Sequence, residues 1–254
     1  MTLPRLPSMR LDGRRALVTG AGRGIGLAAA AALAEVGAHV TLVARSGAEI
    51  TDVAGAIRAA GGQADTLVLD VTALADVRAA IAAAEPFDIV VNNAGTNRPR
   101  GFLEVTEDDY DAITGLNQRA LYFVSQAVAR GLVAAGKGGS IIHMSSQMGH
   151  VGGQNRSVYC MTKHGIEGLT KAMAIDLAPF GIRVNSIGPT FIETPMTRPF
   201  FENVAFRDDV LRRIKLGRLG TVEDVMGAVV FLAGDAAALV TGTALVVDGG
   251  WTAE

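Results

Sequence analysis

Cysteine occurs once in the 254 residues, as Cys160. An intrachain disulfide and an all-cysteine metal cluster are thereby excluded. The histidines are few as well, His39, His143, His150 and His164, and no two are spaced as zinc ligands, so no metal is expected. Neither sign of charge dominates: 23 Lys and Arg face 25 Asp and Glu, a formal net charge of -2. With a pI near 6.1 the chain as a whole is no electrostatic binder of nucleic acid or anionic membrane. Long apolar runs are missing too. The alanine-rich stretch from Leu27 to Ala44 is broken by Glu35 and His39, and no segment reads as a membrane span. Met1 to Gly13 carries Pro4 and Pro7 without an apolar h-region, so no signal peptide is expected and the expected location is the cytoplasm. Glycine is abundant, at 31 residues, but has no fixed period, which excludes a collagen-like chain.

What is present is a large apolar fraction, 49 %, on a chain long enough for one large domain and short for two. Short β-branched runs ending in Gly, Asp or Asn alternate with longer alanine-rich stretches of helical period. Strands are expected at 16–19, 40–43, 66–69, 89–91, 140–144, 183–187 and 244–247. Helices are expected at 25–36, 48–60, 74–84, 116–135, about 157–179, and 222–232. Strands this apolar are buried on both faces. Right-handed crossovers then give an α/β fold, a doubly wound parallel sheet of about seven strands, Rossmann-type, with helices on both faces in a single domain over 1–254. The segment from about 190 to 219 fits neither period and carries Phe191, Phe200, Phe201 and Phe206, so it is expected to be a small lid over a site.

The first strand runs into Gly20-Ala21-Gly22-Arg23-Gly24-Ile25-Gly26 and then a helix. Glycines here let the backbone approach a pyrophosphate, and the helix N-terminus offers free N–H groups; a tight turn without a ligand is the alternative. After the second strand, where a carboxylate would bind the 2′-hydroxyl of NAD, stand Ala44 and Arg45. Arg45 can pair with a 2′-phosphate, so NADP is favoured over NAD, with a solvated strand-end cation as the other reading. Arg23, in the glycine-rich turn, is a candidate for a second phosphate contact.

The sequence closely resembles the short-chain dehydrogenase/reductase family, in its group of about 250 residues, over nearly all of the chain from about Arg10 to Trp251. The matching pieces are Gly20-x-x-x-Gly24-x-Gly26, Asp70-Val71, Asn92-Asn93-Ala94-Gly95, Asn117, Ser146, Tyr159-x-x-x-Lys163 and Asp248-Gly249-Gly250. The resemblance implies that Asp70 and Val71 flank the adenine, that Asn93, Ala94 and Gly95 line the cofactor groove with Pro189 and Ile192, and that Thr194 touches the carboxamide. It also implies a homotetramer. Within the family the likeness is to sugar-acid and polyol dehydrogenases of the gluconate 5-dehydrogenase type. One departure is Pro189-Thr190, where a Pro-Gly pair is usual.

Tyr159 and Lys163 stand at i and i+4, so one helix face carries both. A phenol titrates near 10, too high for a base at neutral pH, and a neighbouring ammonium favours the phenolate. Tyr159 can then exchange a proton with an alcohol or carbonyl oxygen, and the resemblance has Lys163 also hold the nicotinamide ribose. Ser146, at a strand's C-terminal end, can hydrogen-bond the substrate oxygen, with Ser145 the competing candidate. Asn117 is expected to hold a water beside Lys163. For the substrate, Arg98, Arg100 and Arg156 are candidates for a carboxylate, and Gln147, His150 and Gln154 for hydroxyls. Cys160 reads as a small helix residue rather than a redox group.

The expected activity is therefore hydride transfer between NAD(P) and a small secondary alcohol or ketone, a sugar acid or polyol. The first alternative is 3-oxoacyl-carrier-protein reductase, which needs a cationic docking face. Lys137 offers one charge, but Phe180 occupies the other helix–strand junction. The second alternative is a non-catalytic cofactor-sensing regulator, which should lack a member of the set Asn117, Ser146, Tyr159 and Lys163.

Overall fold

A computed structural model describes residues 2–253; Met1 and Glu254, the ends of the expected domain, lie outside the described residues. The apolar runs form β1 (Arg15–Thr19), β2 (His39–Ala44), β3 (Gln63–Val68), β4 (Ile89–Asn92), β5 (Gly139–Met144), β6 (Ile182–Pro189) and β7 (Ala244–Val247). Every pairing is parallel, in the order β3-β2-β1-β4-β5-β6-β7. The order reverses between β1 and β4, which opens a crevice at the strands' C-terminal ends.

The helices are α1 (Gly24–Glu35), α2 (Gly47–Ala59), α3 (Leu74–Ala83), α4 (Glu107–Thr114), α5 (Leu121–Ala134), α6 (Ser157–Leu177), α7 (Val204–Arg213) and α8 (Glu223–Ala233). On one face of the sheet Leu33, Ile50 and Val229 of α1, α2 and α8 pack in one core; on the other Ile81, Val128 and Ala174 of α3, α5 and α6 pack in a second. No described helix is long and apolar enough to cross a membrane.

Three departures from expectation have physical causes. β3 starts at Gln63 and ends at Val68, not over 66–69, because an edge strand needs only one apolar face; Asp65 and Thr66 are exposed. α4 was not expected: its first turn is Glu107, Asp108 and Asp109 after a Thr106 cap, so dipole and capping rather than apolar period define it. The helix expected over 116–135 begins with a π-helical turn, Gly115–Ala120, before α5. The segment 190–219 contains α7 and a third apolar cluster, in which the rings of Phe201 and Phe206 meet Phe191 edge-on at 5.9 and 5.6 Å.

Beneath the crevice lies a polar network inside the second core. His143 of β5 is 0 % exposed; its Nδ1 is 3.0 Å from Thr170 Oγ1 and its Nε2 3.3 Å from Ser125 Oγ, which also accepts from Asn92 Nδ2. One ring nitrogen donates and the other accepts only when the imidazole is neutral. Burial, with the charge of Lys163 adding to it, lowers the His143 pKa to about 3. The folded pKa lies below the unfolded one, so this stability is whole above about pH 6.5 and is lost as pH falls toward 3. We predict that urea unfolding curves show stability falling below pH 6.5 with a His143 share of up to about 1.4 kcal/mol per pH unit. His143→Asn should remove that share. Equal slopes in both proteins would discount His143.

Candidate active site

The turn after β1 is shaped by close contacts that exclude side chains. A Cβ on Gly26 would stand 2.1 Å from the Gly20 carbonyl oxygen, and Gly24 has φ +57°. Asn93 Nδ2 donates to the carbonyls of Thr19 and Gly20, and the Ala94 N–H donates to Thr19 Oγ1, so the segment after β4 holds the turn in place. The N-terminus of α1 has no side-chain cap, which leaves its first-turn N–H groups free for an anion. These features fit a dinucleotide pyrophosphate. Thr194 lies over the turn, its Cγ2 3.4 Å from where a Gly24 Cβ would be. Ile192 beside it is buried and bridges to Gly220, and Pro189 is buried at the end of β6.

Arg23 and Arg45 are both exposed. Glu49, which sequence reasoning did not single out, stands 3.7 Å from Arg23. Asp70 Oδ1 accepts from the Thr72 N–H and hydroxyl, which, with Arg45 adding its charge, lowers its pKa. Val71 next to it is buried. Gly95 packs against Asn117, whose Oδ1 would be 3.3 Å from a Cβ there.

At the ends of β4 and β5 the four expected catalytic side chains come together. Asn117 lies in the π-helical turn, 1 % exposed, accepting from the Thr96 N–H and donating to the Thr96 carbonyl and Thr162 Oγ1. π-Helical turns recur at functional sites because the extra residue redirects a side chain. Lys163 Nζ donates to the Met144 carbonyl at 2.7 Å and lies 5.5 Å from the Tyr159 ring centre. Burial pushes the Lys163 pKa down to about 8, with Glu167 opposing. Burial raises the Tyr159 pKa, while Ser146 within hydrogen-bonding reach and Arg156 nearby pull it down. Ser146 donates its hydroxyl to Gln147 Oε1 at 2.7 Å, whereas Ser145 Oγ is buried with no partner. Ser146, not Ser145, is therefore the serine at the phenol. Cys160 is half-buried and burial raises its pKa, which leaves it a poor thiolate.

The substrate candidates separate by what they meet. Arg98 and Arg100 both pair with the buried carboxylate of Asp109, at 3.2 and 2.5 Å. Gln147 is buried on Ser146, while Gln154 and His150 are exposed. Arg156 is 7 % exposed, has no carboxylate partner among the described residues, and lies 5.1 Å from the centre of the Phe200 ring. Two buried polar atoms that sequence reasoning missed, Asn97 Oδ1 and Thr190 Oγ1, have no hydrogen-bond partner. No grouping of three His, Cys, Asp or Glu residues suited to a metal exists among the described residues.

Known proteins are similar in sequence and fold. The family model described as enoyl-(acyl carrier protein) reductase matches residues 20–252. The L-xylulose reductase of Bos taurus is 42 % identical over 245 residues, 96 % of this chain and 99 % of that protein. The 3-oxoacyl-[acyl-carrier-protein] reductase of Pseudomonas aeruginosa is 40 % identical over 247 residues, 95 % of this chain and 98 % of that one. A gluconate 5-dehydrogenase from Burkholderia cenocepacia J2315, solved with NADP and tartrate, superposes with a TM-score of 0.94 at 40 % identity, covering 98 % of this chain and 99 % of that one. The chain belongs to the short-chain dehydrogenase/reductase family and is an NAD(P)-dependent oxidoreductase.

Tyr159→Phe keeps the ring and deletes the hydroxyl. We predict that kcat on any substrate the protein turns over falls about 10²–10⁴-fold, the usual worth of general acid–base catalysis. Cofactor affinity, read by calorimetry, should hold within about threefold. Retention of most of kcat would remove Tyr159 from proton transfer.

Proposed function

We propose that the protein interconverts a secondary alcohol and a ketone on a small polyhydroxylated acid, preferring NADP(H), with Tyr159 as the proton carrier. The bound nicotinamide supplies or takes up the hydride. The glycine turn, Asn93, Ala94, Gly95, Val71 and Thr194 would hold the dinucleotide. Tyr159 passes a proton between its phenol and the substrate oxygen, which Ser146 holds by a hydrogen bond. Lys163 keeps positive charge beside that phenol, and Asn117 braces the helix behind it through Thr162. Phe191, Phe200 and Phe201 belong to a lid over 190–219 that excludes water.

The observation that carries the substrate class is Arg156, a buried guanidinium that lacks a carboxylate among the described residues and lies one helical turn before Tyr159. A buried charge without a partner costs several kcal/mol, and a substrate carboxylate would offset that cost on binding. Carrier-protein reduction is disfavoured because the one candidate docking cation, Lys137, already faces Asp88 at 3.8 Å, and Phe180 leaves the other junction uncharged. A non-catalytic regulator is disfavoured by the complete set of four side chains. We predict that gluconate-like acids give the highest kcat/KM, above neutral polyols or pentuloses. Arg156→Gln should lower the value for acids at least about tenfold and that for neutral sugars less than about threefold. An acetoacetyl thioester as the best substrate would instead establish the carrier-protein reading.

The NADP preference is supported by the two exposed arginines, Arg23 and Arg45, at the ends of the turn and of β2, with no carboxylate at the end of β2. Arg45→Ala is expected to weaken NADP binding about ten- to a hundredfold and leave NAD within a few-fold, by calorimetry. Tighter binding of NAD than NADP by the unaltered protein would overturn the preference. Self-association into a homotetramer and a cytoplasmic location complete the proposal. The first is supported by a groove of about 740 Å³ beside α4, α5 and α6, lined by Tyr122, Phe123, Ile166 and Leu169.

A further inference from the structure

Lys163 is 6 % exposed, and its ammonium donates to the Met144 carbonyl. No carboxylate lies within ion-pair distance of it among the described residues. One turn further along the same face of α6 stands Glu167, 8 % exposed. Its Oε2 accepts from Ser186 Oγ of β6 at 2.6 Å. Its Oε1 is buried with no hydrogen-bond partner, and His150 Nε2 faces it at 3.7 Å. The chain leaves room for this carboxylate: a Cβ on Gly149 would be 3.1 Å from Glu167 Cγ and 3.1 Å from the Lys163 carbonyl.

A buried carboxylate half-satisfied by one hydroxyl is expensive unless its charge has a use. We propose that Glu167 is a positioning residue, a buried counter-charge that acts along α6 to keep the Lys163 ammonium protonated while the enzyme works. The proposal rests on the proton-carrier reading of Tyr159 and Lys163 given above, but its test does not need a substrate. Burial alone drives the lysine toward neutrality, and Glu167 is the one group that pulls it back. The titratable groups around the pair are Tyr159 on α6, His143 on β5, and His150 in the turn after β5. The lysine charge lowers the pKa of His143. Glu167 is thus the only carboxylate among these neighbours. Losing it would lower the pKa of Lys163, and the neutral amine would no longer favour the phenolate of Tyr159.

The chain has four lysines, Lys137, Lys163, Lys171 and Lys215, so the Lys163 signal can be followed by NMR of ¹³C-labelled lysine side chains and assigned by its loss in Lys163→Met. In the unaltered protein, without substrate, the Lys163 midpoint should lie at about 8. In Glu167→Gln it should fall by about one pH unit, the low end of what a nearby opposite charge contributes. Ser186→Ala removes the hydrogen bond and keeps the charge, so it should move the midpoint much less. Glu167→Asp should restore most of the shift. The alkaline limb of the kcat profile should move with the NMR midpoint. Glu167→Leu, of similar volume and without polarity, serves as a second neutral variant. An unchanged Lys163 midpoint in whichever neutral variant folds overturns the proposal. So does failure of both to fold while Ser186→Ala folds normally, because Glu167 would then be a structural residue.

Discussion

The contact between α6 and the end of β5 organises the site. A lysine ammonium is drawn out of water and set on a backbone carbonyl, Met144, at the point where β5 stops. That hydrogen bond ties one face of α6 to the end of β5. With the helix so tied, Tyr159 lies one turn toward the crevice, Glu167 one turn away from it, and Thr162 faces Asn117 of the π-helical turn. Burial lowers the pKa of the lysine, raises that of the phenol and leaves His143 neutral, all in one low-dielectric layer beneath the strand ends. Site and core share this layer: the charge of Lys163 adds to burial in weighing against protonation of His143.

The sheet and the tetrad were legible for different reasons. β7 lies at 244–247 as the apolar run predicts, and five other strands lie within two residues of expectation at both ends, because short β-branched runs bounded by turn residues mark strands. β3 was shifted because only one of its faces is covered. α4 and α7 were illegible for a related reason. Each buries little, and each is defined by its cap, Thr106 or Asn203, and by charged residues that form no apolar stripe. The grouping of Asn117, Ser146, Tyr159 and Lys163 was legible through the family resemblance, whose motifs they match in order along the chain. The π-helical turn was not, since it changes how residues are counted around the helix without changing which residues are present. Glu167 was invisible for a different reason. One glutamate on a long helix looks solvated until β6 and the turn after β5 close over it.

Sequence also treats the three candidate arginines as equals, and folding separates them. Arg98 and Arg100 reach back to Asp109, whose own place on α4 is set by the Thr106 cap. The Arg100 N–H donates to the Asn155 carbonyl, and Asn155 has φ 58°, a left-handed conformation that asparagine tolerates better than most residues. The loops after β4 and β5 are thereby tied to one another across the mouth of the crevice. The residue that follows this tie is Arg156. Its backbone begins α6, its side chain runs under Phe200, and its guanidinium acts on the phenol of Tyr159 one turn later. Arg98 and Arg100 are thus both committed to Asp109, which leaves Arg156 as the candidate arginine without a carboxylate among the described residues. In the proposed reading such an arrangement favours a ligand that brings its own negative charge, because that ligand would replace the hydration Arg156 lost on folding, whereas a neutral sugar would leave that cost in place.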